Sequence, residues 1–205
     1  MTERAMGATL ETERLTLRPL TEADADHLVA LDSDPEVMRY LNGGAATPRE
    51  LIEWTILPRF LRSFERGDGS GVWAAIERGS GTFVGWFSFQ SDDACPGEYS
   101  LGYRLSRAAW GHGYATEGAR ALILRGFAQL GARRISATTY QDNHRSRRVM
   151  ERLDMRLARS YRLTAADLAD VSETFAPSGE VWEGDDVEYE LLRSEWERRV
   201  AGREE

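Results

Sequence analysis

The residues best suited to chemistry lie in the run Trp110-Gly-His-Gly-Tyr-Ala-Thr-Glu117. Gly111 and Gly113 carry no side chain, so main-chain N–H groups around them can approach a ligand closely. Behind them, Ala115, Ala119, Leu122, Ile123, Gly126, Phe127 and Leu130 recur at three- and four-residue steps and predict an amphipathic helix. The mouth of such a helix leaves its first N–H donors unpaired and carries a partial positive charge. Glycines and helix mouth together make a cradle for an anion such as a pyrophosphate. Two other readings stay open on these residues. A dinucleotide-binding turn wants a third glycine where Thr116 stands and an acid at the end of the next strand, whereas the nearest acid, Asp142, falls past it. A tight turn whose glycines merely permit the chain path is the other, because a short glycine motif is weak by itself.

The elements that must hold this run alternate in type. Arg14-Leu-Thr-Leu-Arg-Pro-Leu20 reads as a first strand, and Thr21 with Asp24 as a helix start before Leu28 and Leu31. A second helix is expected from Thr47, with Pro48 in its first position, Glu50 closing a capping box and Pro58 kinking or splitting it. Strands follow at 72–76 and 83–89 around the turn Gly79-Ser-Gly81, and at 98–105 with Tyr99, Leu101, Tyr103 and Leu105 on one face. After the helix behind Gly113, which Gly131 stops, come a strand at 134–140 and a short helix at 143–153. A long polar loop at 164–186, a strand at 187–191 and a charged helix complete the chain. Helices early, then strands interrupted by two helices, indicate a mixed α/β or α+β sheet.

Composition narrows the function classes. At 205 residues the chain suits one domain, taken as 12–205 after a flexible segment 1–11. The net charge of −8, with no basic cluster, argues against nucleic acid as a partner and mildly favours cationic ligands, amines among them. All 26 basic residues are arginine, which excludes phosphate-loop hydrolysis and Schiff-base chemistry. No apolar run is long enough to span a membrane, and residues 1–11 have no hydrophobic signal core. Cys95 stands alone, so no internal disulfide can form, and a cytoplasmic setting is expected. Three scattered histidines make no metal site, and no metal is expected.

With these residues in view, the sequence resembles the GNAT superfamily of acetyltransferases, in particular its RimJ/RimL-like branch. The stretch from Tyr103 to Glu117 resembles that branch's pyrophosphate loop, and Asn143-His-Arg-Ser-Arg-Arg-Val-Met-Glu-Arg-Leu153 its second motif, Asn-x-x-Ser before a helix. Arg14 to Leu20 resembles the opening strand and Tyr189-Glu-Leu191 the closing one. The resemblance implies a mixed, mostly antiparallel sheet of about seven strands with helices on both faces. It implies acetyl-CoA as co-substrate, with pantetheine lying between strand 98–105 and strand 134–140. Tyr103, Arg104 and Leu105 would then offer backbone bonds to it. Gly111, His112, Gly113, Tyr114, Ala115 and Thr116 would hold the pyrophosphate, and Asn143 the pantetheine arm.

Acyl transfer to an amine needs a neutral amine, a stabilised oxyanion and a proton for the departing thiolate. The family's usual acid aligns with Ser100. Glu98, two residues earlier and so on the same strand face, is the candidate base, or else a solvated strand residue. Ser146 is the candidate acid, or a hydroxyl in a first helical turn; Tyr140 is a weaker donor. A backbone N–H near Leu101 to Tyr103 is the candidate oxyanion donor. Asp154, where the family has glycine, is expected to distort that turn. Trp54, Trp73, Trp86, Phe60 and Phe64 are read as core. The expected activity is direct transfer in a ternary complex to a primary amine, of a protein N-terminus or a small molecule. A non-enzymatic acyl-CoA-binding sensor is the alternative. Either a monomer or a homodimer is compatible with the sequence.

Overall fold

The structure is a computed structural model that describes residues 9–162 and 184–202. The strands are β1 (Leu10–Glu11), β2 (Leu15–Pro19), β3 (Gly71–Glu77), β4 (Phe83–Ser91), β5 (Glu98–Leu105), β6 (Arg134–Tyr140), β7 (Arg156–Tyr161) and β8 (Asp186–Leu192). They form one eight-stranded sheet in the order β1-β2-β3-β4-β5-β6-β8-β7. Every neighbouring pair is antiparallel except β5 with β6. The expected sheet of about seven strands thus has eight, because Leu10 and Glu11 pair with Leu17 and Thr16 as a short edge. Residues 1–8 of the expected flexible segment, and most of the long loop at 164–186, lie outside the described residues.

The helices are α1 (Ala25–Asp32), α2 (Pro35–Asn42), a three-part α3 (Arg49–Leu51, Ile52–Ile56, Leu57–Arg62), α4 (Tyr114–Ala128), α5 (His144–Arg152) and α6 (Arg193–Ala201). Strand alternation feeds two apolar layers. On one face Leu15, Leu17, Phe87, Phe89, Leu101 and Ile135 meet Leu122, Ile123 and Phe127 of α4. On the other, Val72, Ala74 and Trp86 meet Leu28 and Leu31 of α1 and Ile52, Leu57 and Phe60 of α3. Each fully buried Leu, Ile, Val or Phe among them contributes about 1.5–3 kcal/mol. Because β5 and β6 are parallel, the chain needs a crossover, and α4 provides it.

Local signals met mixed outcomes. Asp24 accepts the Thr21 N–H at 2.7 Å, as its spacing predicts. The Thr47–Glu50 capping box does not form: α3 starts at Arg49, and buried Thr47 instead donates its N–H to the Asp32 carbonyl at 3.1 Å. Pro58 does not split α3. The turn before it widens into a π-helical segment in which the Leu57 N–H reaches the Ile52 carbonyl, which accommodates the missing donor. Trp54, on that segment, is 79% exposed rather than core. Asp154 does not distort its turn. It adopts φ 63°, and Met155 N–H still reaches the Met150 carbonyl at 3.0 Å.

Candidate active site

The site begins where the parallel pairing ends. β5 and β6 are joined at Glu98–Arg134, Tyr99–Ile135 and Ser100–Ser136, then run on unpaired with each other to Leu105 and Tyr140. On its other edge β5 stays paired with β4 throughout. Bonds from Asp92 N–H to the Glu98 carbonyl and from Ser106 N–H to the Val84 carbonyl, both 2.9 Å, set which residues face β4. By the alternation of an antiparallel ladder, Arg104 turns its N–H and C=O to β4, while Tyr103 and Leu105 turn theirs to the gap. Arg104 therefore cannot offer the backbone bonds expected of it. The Leu105 carbonyl already accepts the Trp110 indole N–H at 2.9 Å, which anchors the following loop.

That loop meets α4 with its amides free. Gly111 and Gly113 adopt φ +80° and +82°, a region L side chains rarely enter. Among the described residues, none of the N–H groups from Gly111 to Thr116 donates a hydrogen bond; the first to do so is Glu117, to the Gly113 carbonyl at 3.0 Å. Gly111 and His112 are exposed, and Tyr114 is buried against the sheet. The His112 ring folds back, with Nδ1 3.0 Å from the Trp110 carbonyl and the ring stacked on Tyr114. A helix mouth with this many free amides has the donors and the partial positive charge that an anion requires.

Across the gap, α5 places Ser146 against Tyr103. Their hydroxyl oxygens are 3.0 Å apart, and Tyr103 also donates to the Ser146 carbonyl at 3.2 Å. Burial pushes the Tyr103 phenol up to about 12, against a smaller opposing effect of the Ser146 bond, so it stays a neutral hydroxyl. No group of metal-binding side chains occurs among the described residues, and no described helix is long and apolar enough to cross a membrane.

Known proteins share this architecture. A family model described as an acetyltransferase (GNAT) domain matches residues 14–156. The chain belongs to the GNAT acetyltransferase family. It is 32% identical over 167 residues to the "Uncharacterized N-acetyltransferase p20" of Bacillus licheniformis, covering 80% of this chain and 92% of that protein. It is 30% identical over 203 residues to the "FsC-acetyl coenzyme A-N(2)-transacetylase" of Aspergillus fumigatus, covering 93% and 78%. A solved GNAT-family acetyltransferase from Bacillus anthracis superposes with a TM-score of 0.70 at 24% identity, over 91% of this chain and 99% of that one. The protein is thus an acetyltransferase with acetyl-CoA as its co-substrate.

Within this GNAT site, the candidates drawn from sequence separate into two groups. Tyr103, Leu105 and Ser146 lie at the gap, and Gly111 to Thr116 lead from the end of β5 into the mouth of α4. Glu98 does not. It lies in the paired part of β5, five residues or about 17 Å along the strand from Tyr103. Its carboxylate is held by Arg134 Nη1 at 2.8 Å. Asn143 engages both ends of its side chain within the fold: Oδ1 accepts the Ser146 N–H at 3.2 Å and Nδ2 donates to Thr139 Oγ1 at 3.0 Å. It caps α5 rather than reaching into the gap. Tyr140, the weaker donor candidate, stacks on Tyr40 of α2 at 5.9 Å between ring centroids.

Two features were missed from sequence. The Arg104 side chain, on the α1 face of β5, pairs with Asp32 at 2.5 Å in a buried setting. Asp32 Oδ1, Arg104 Nε and nearby-helix Asn42 Oδ1 are buried without a hydrogen-bond partner. Nothing local in the sequence signals a pairing across 72 positions. The second is the clasp between Arg14 and Glu117, at 2.6 Å. Glu117 stood inside the recognised motif with no role assigned, and Arg14 passed as a strand residue.

Proposed function

We propose that this GNAT enzyme acetylates a primary amine of a small molecule, by direct transfer from acetyl-CoA lying in the gap between β5 and β6. The observation that carries this reading is the continuity of free polar groups along one path. The N–H and C=O of Tyr103 and the N–H of Leu105 face the gap, the Leu105 carbonyl being taken by Trp110, and the unpaired amides of Gly111 to Thr116 continue the path to the mouth of α4. A pantetheine arm can add to the β5 edge as a strand would, while a diphosphate sits on the helix mouth. The Tyr103 N–H is the oxyanion donor, and the Ser146 hydroxyl, beside Tyr103, donates to the departing thiolate. Exposed Cys95 lies in a turn away from the gap and takes no covalent part.

A small acceptor is favoured over a protein N-terminus by the relative from Aspergillus fumigatus, whose name records acetyl transfer from acetyl-CoA to an N(2) position. The net charge of −8 suits a cationic amine. The RimJ/RimL-like branch is proposed on the motifs at Tyr103 to Glu117 and Asn143 to Leu153, and that branch by itself implies a protein N-terminus as acceptor; a cytoplasmic setting is proposed on the lone Cys95. The base that takes the ammonium proton is not assigned to Glu98, since Arg134 holds its carboxylate in the paired part of β5, five residues from Tyr103. The test is a panel of small amines and N-terminal peptides with acetyl-CoA, read by thiol release. Turnover with small amines and none with peptides is expected. Turnover with peptides alone would overturn the acceptor assignment.

A further inference from the structure

An acid in the first turn of α4 is a puzzle if a diphosphate lies at that helix mouth. Glu117 suits the helix dipole, yet its charge would repel the phosphates. The structure shows how that repulsion is cancelled. Glu117 Oε1 accepts the Thr12 hydroxyl at 2.6 Å and the Arg14 N–H at 2.7 Å, and Oε2 accepts Arg14 Nε at 2.7 Å. Burial alone would raise the Glu117 pKa, but these bonds outweigh it and hold the carboxyl below its ordinary range. The same guanidinium reaches into the loop: Arg14 Nη1 donates to the His112 carbonyl at 2.9 Å. Its Cζ stands 4.9 Å from the Tyr114 ring centroid, and Nη2 lies where a Cβ on Gly113 would meet it at 3.4 Å. The Arg14 carbonyl in turn accepts the Arg78 N–H at 2.8 Å, which ties the clasp to the turn after β3.

The His112 carbonyl and the Gly113 N–H belong to one peptide unit. In a trans peptide they point in opposite directions. A guanidinium that holds the carbonyl on one side therefore directs the amide to the other. We infer that Arg14 is a positioning residue for coenzyme binding, which aims the Gly113 amide at the diphosphate and neutralises Glu117 beneath it. This inference rests on the placement of the diphosphate proposed above.

Titration with coenzyme A and steady-state kinetics on the intact protein test it. Wild type binds coenzyme A; if it does not, the diphosphate reading itself fails, separately from the clasp. Arg14→Ala is expected to weaken coenzyme A binding and raise KM for acetyl-CoA by roughly tenfold, with kcat at saturation changed less than about threefold. KM for acetyl-pantetheine, which has no diphosphate, is expected to stay at its wild-type value; a merely structural defect would raise both. Adding Glu117→Gln to Arg14→Ala is expected to recover part of the lost affinity, since the uncompensated charge goes. Arg14→Lys is expected to fall between, because it keeps the charge without the fork. If Arg14→Ala does not fold, the Arg14→Lys and Glu117→Gln single variants carry the same comparison of acetyl-CoA with acetyl-pantetheine. Wild-type affinity in Arg14→Ala, or an equal rise in KM for both thioesters, would overturn the inference.

Discussion

The two ends of β5 are built from the same alternating strand yet differ in what they leave free. At the first end, through Ser100, both edges are paired, and the ionised side chains are matched as well. Arg134 contacts one oxygen of Glu98 at 2.8 Å, Glu190 at 2.6 Å and also Glu188, while Arg156 and Arg159 take the second oxygens of Glu190 and Glu188. Beyond Ser100 the β6 partner is lost, and the main-chain groups of Tyr103 and the N–H of Leu105 face a gap that continues into the unpaired amides of the loop. Buried polar groups are costly unless matched, so a saturated end gains stability and a depleted one keeps binding capacity. A carboxylate held by an arginine at the saturated end is proposed to serve the fold rather than the transfer, however well its residue type suits catalysis. That is the lesson of Glu98.

The widest separation between the ends should come from substitution in the loop. Gly113→Val places a β-branched side chain at φ +82° and turns the amide away from the helix mouth. Coenzyme A affinity is expected to fall by about 100-fold, the loss of one charge-assisted hydrogen bond near the upper end of its range. Calorimetric titration checks this; retained affinity would mean that the depleted end is not where the diphosphate binds. The next effect lies at the hydroxyl pair. Ser146→Ala is expected to lower kcat about 100-fold and Tyr103→Phe about tenfold, each with KM for acetyl-CoA nearly unchanged. A loss confined to KM would reassign both residues to binding.

Much of this arrangement is written in local signals, and the rest depends on contacts that no window of sequence contains. The α4 period and the two glycines announce a helix mouth, and alternation from Tyr99 to Leu105 announces the strand before it. The place where β5 loses β6 is not a property of either strand; it follows from how α4 returns the chain. Sequence can therefore list Glu98, Tyr103, Arg104 and Leu105 as candidates without dividing them. Arg104 fails as a main-chain donor because ladder phase turns its backbone to β4, which depends on register with Val84 and Asp92. Asn143 and Ser146 share a motif, yet one caps α5 and the other meets Tyr103. Trp54 illustrates the same limit in the core: Pro58 is visible, but the π turn that absorbs it and exposes Trp54 is a tertiary outcome. The Arg14–Glu117 clasp spans two signals that were each legible and said nothing of one another.

Titration offers a smaller, sharper contrast. Because burial raises the Tyr103 pKa to about 12, its neutral form contributes stability that is complete below the unfolded value near 10 and lost as pH rises toward 12. Wild type should thus lose Tm relative to Tyr103→Phe above pH 10, by about 3 °C at pH 11. Melting curves of the two proteins from pH 9 to 11.5 measure this. Parallel curves would mean that the phenol is solvated, and that the open end is wetter than its geometry indicates.

The smallest effect is expected at the saturated end, and it is the one that most directly challenges the contrast. Glu98→Gln removes one of three carboxylates around Arg134 and leaves Glu188 and Glu190 in place. The Glu98 side chain is 31% exposed, so the pair is partly screened and its loss should cost less than about 1 kcal/mol of stability. If Glu98 were the general base, the same change would lower kcat by about 100-fold or more. With its carboxylate tied to Arg134 some five residues from Tyr103, kcat is expected to stay within about twofold of wild type, a difference set only by long-range charge. Measuring kcat across pH 6 to 9 separates the two cases, because loss of a base would also remove the acidic limb of the profile. A large drop with that limb gone would place catalysis at the paired end of β5 and reverse the comparison.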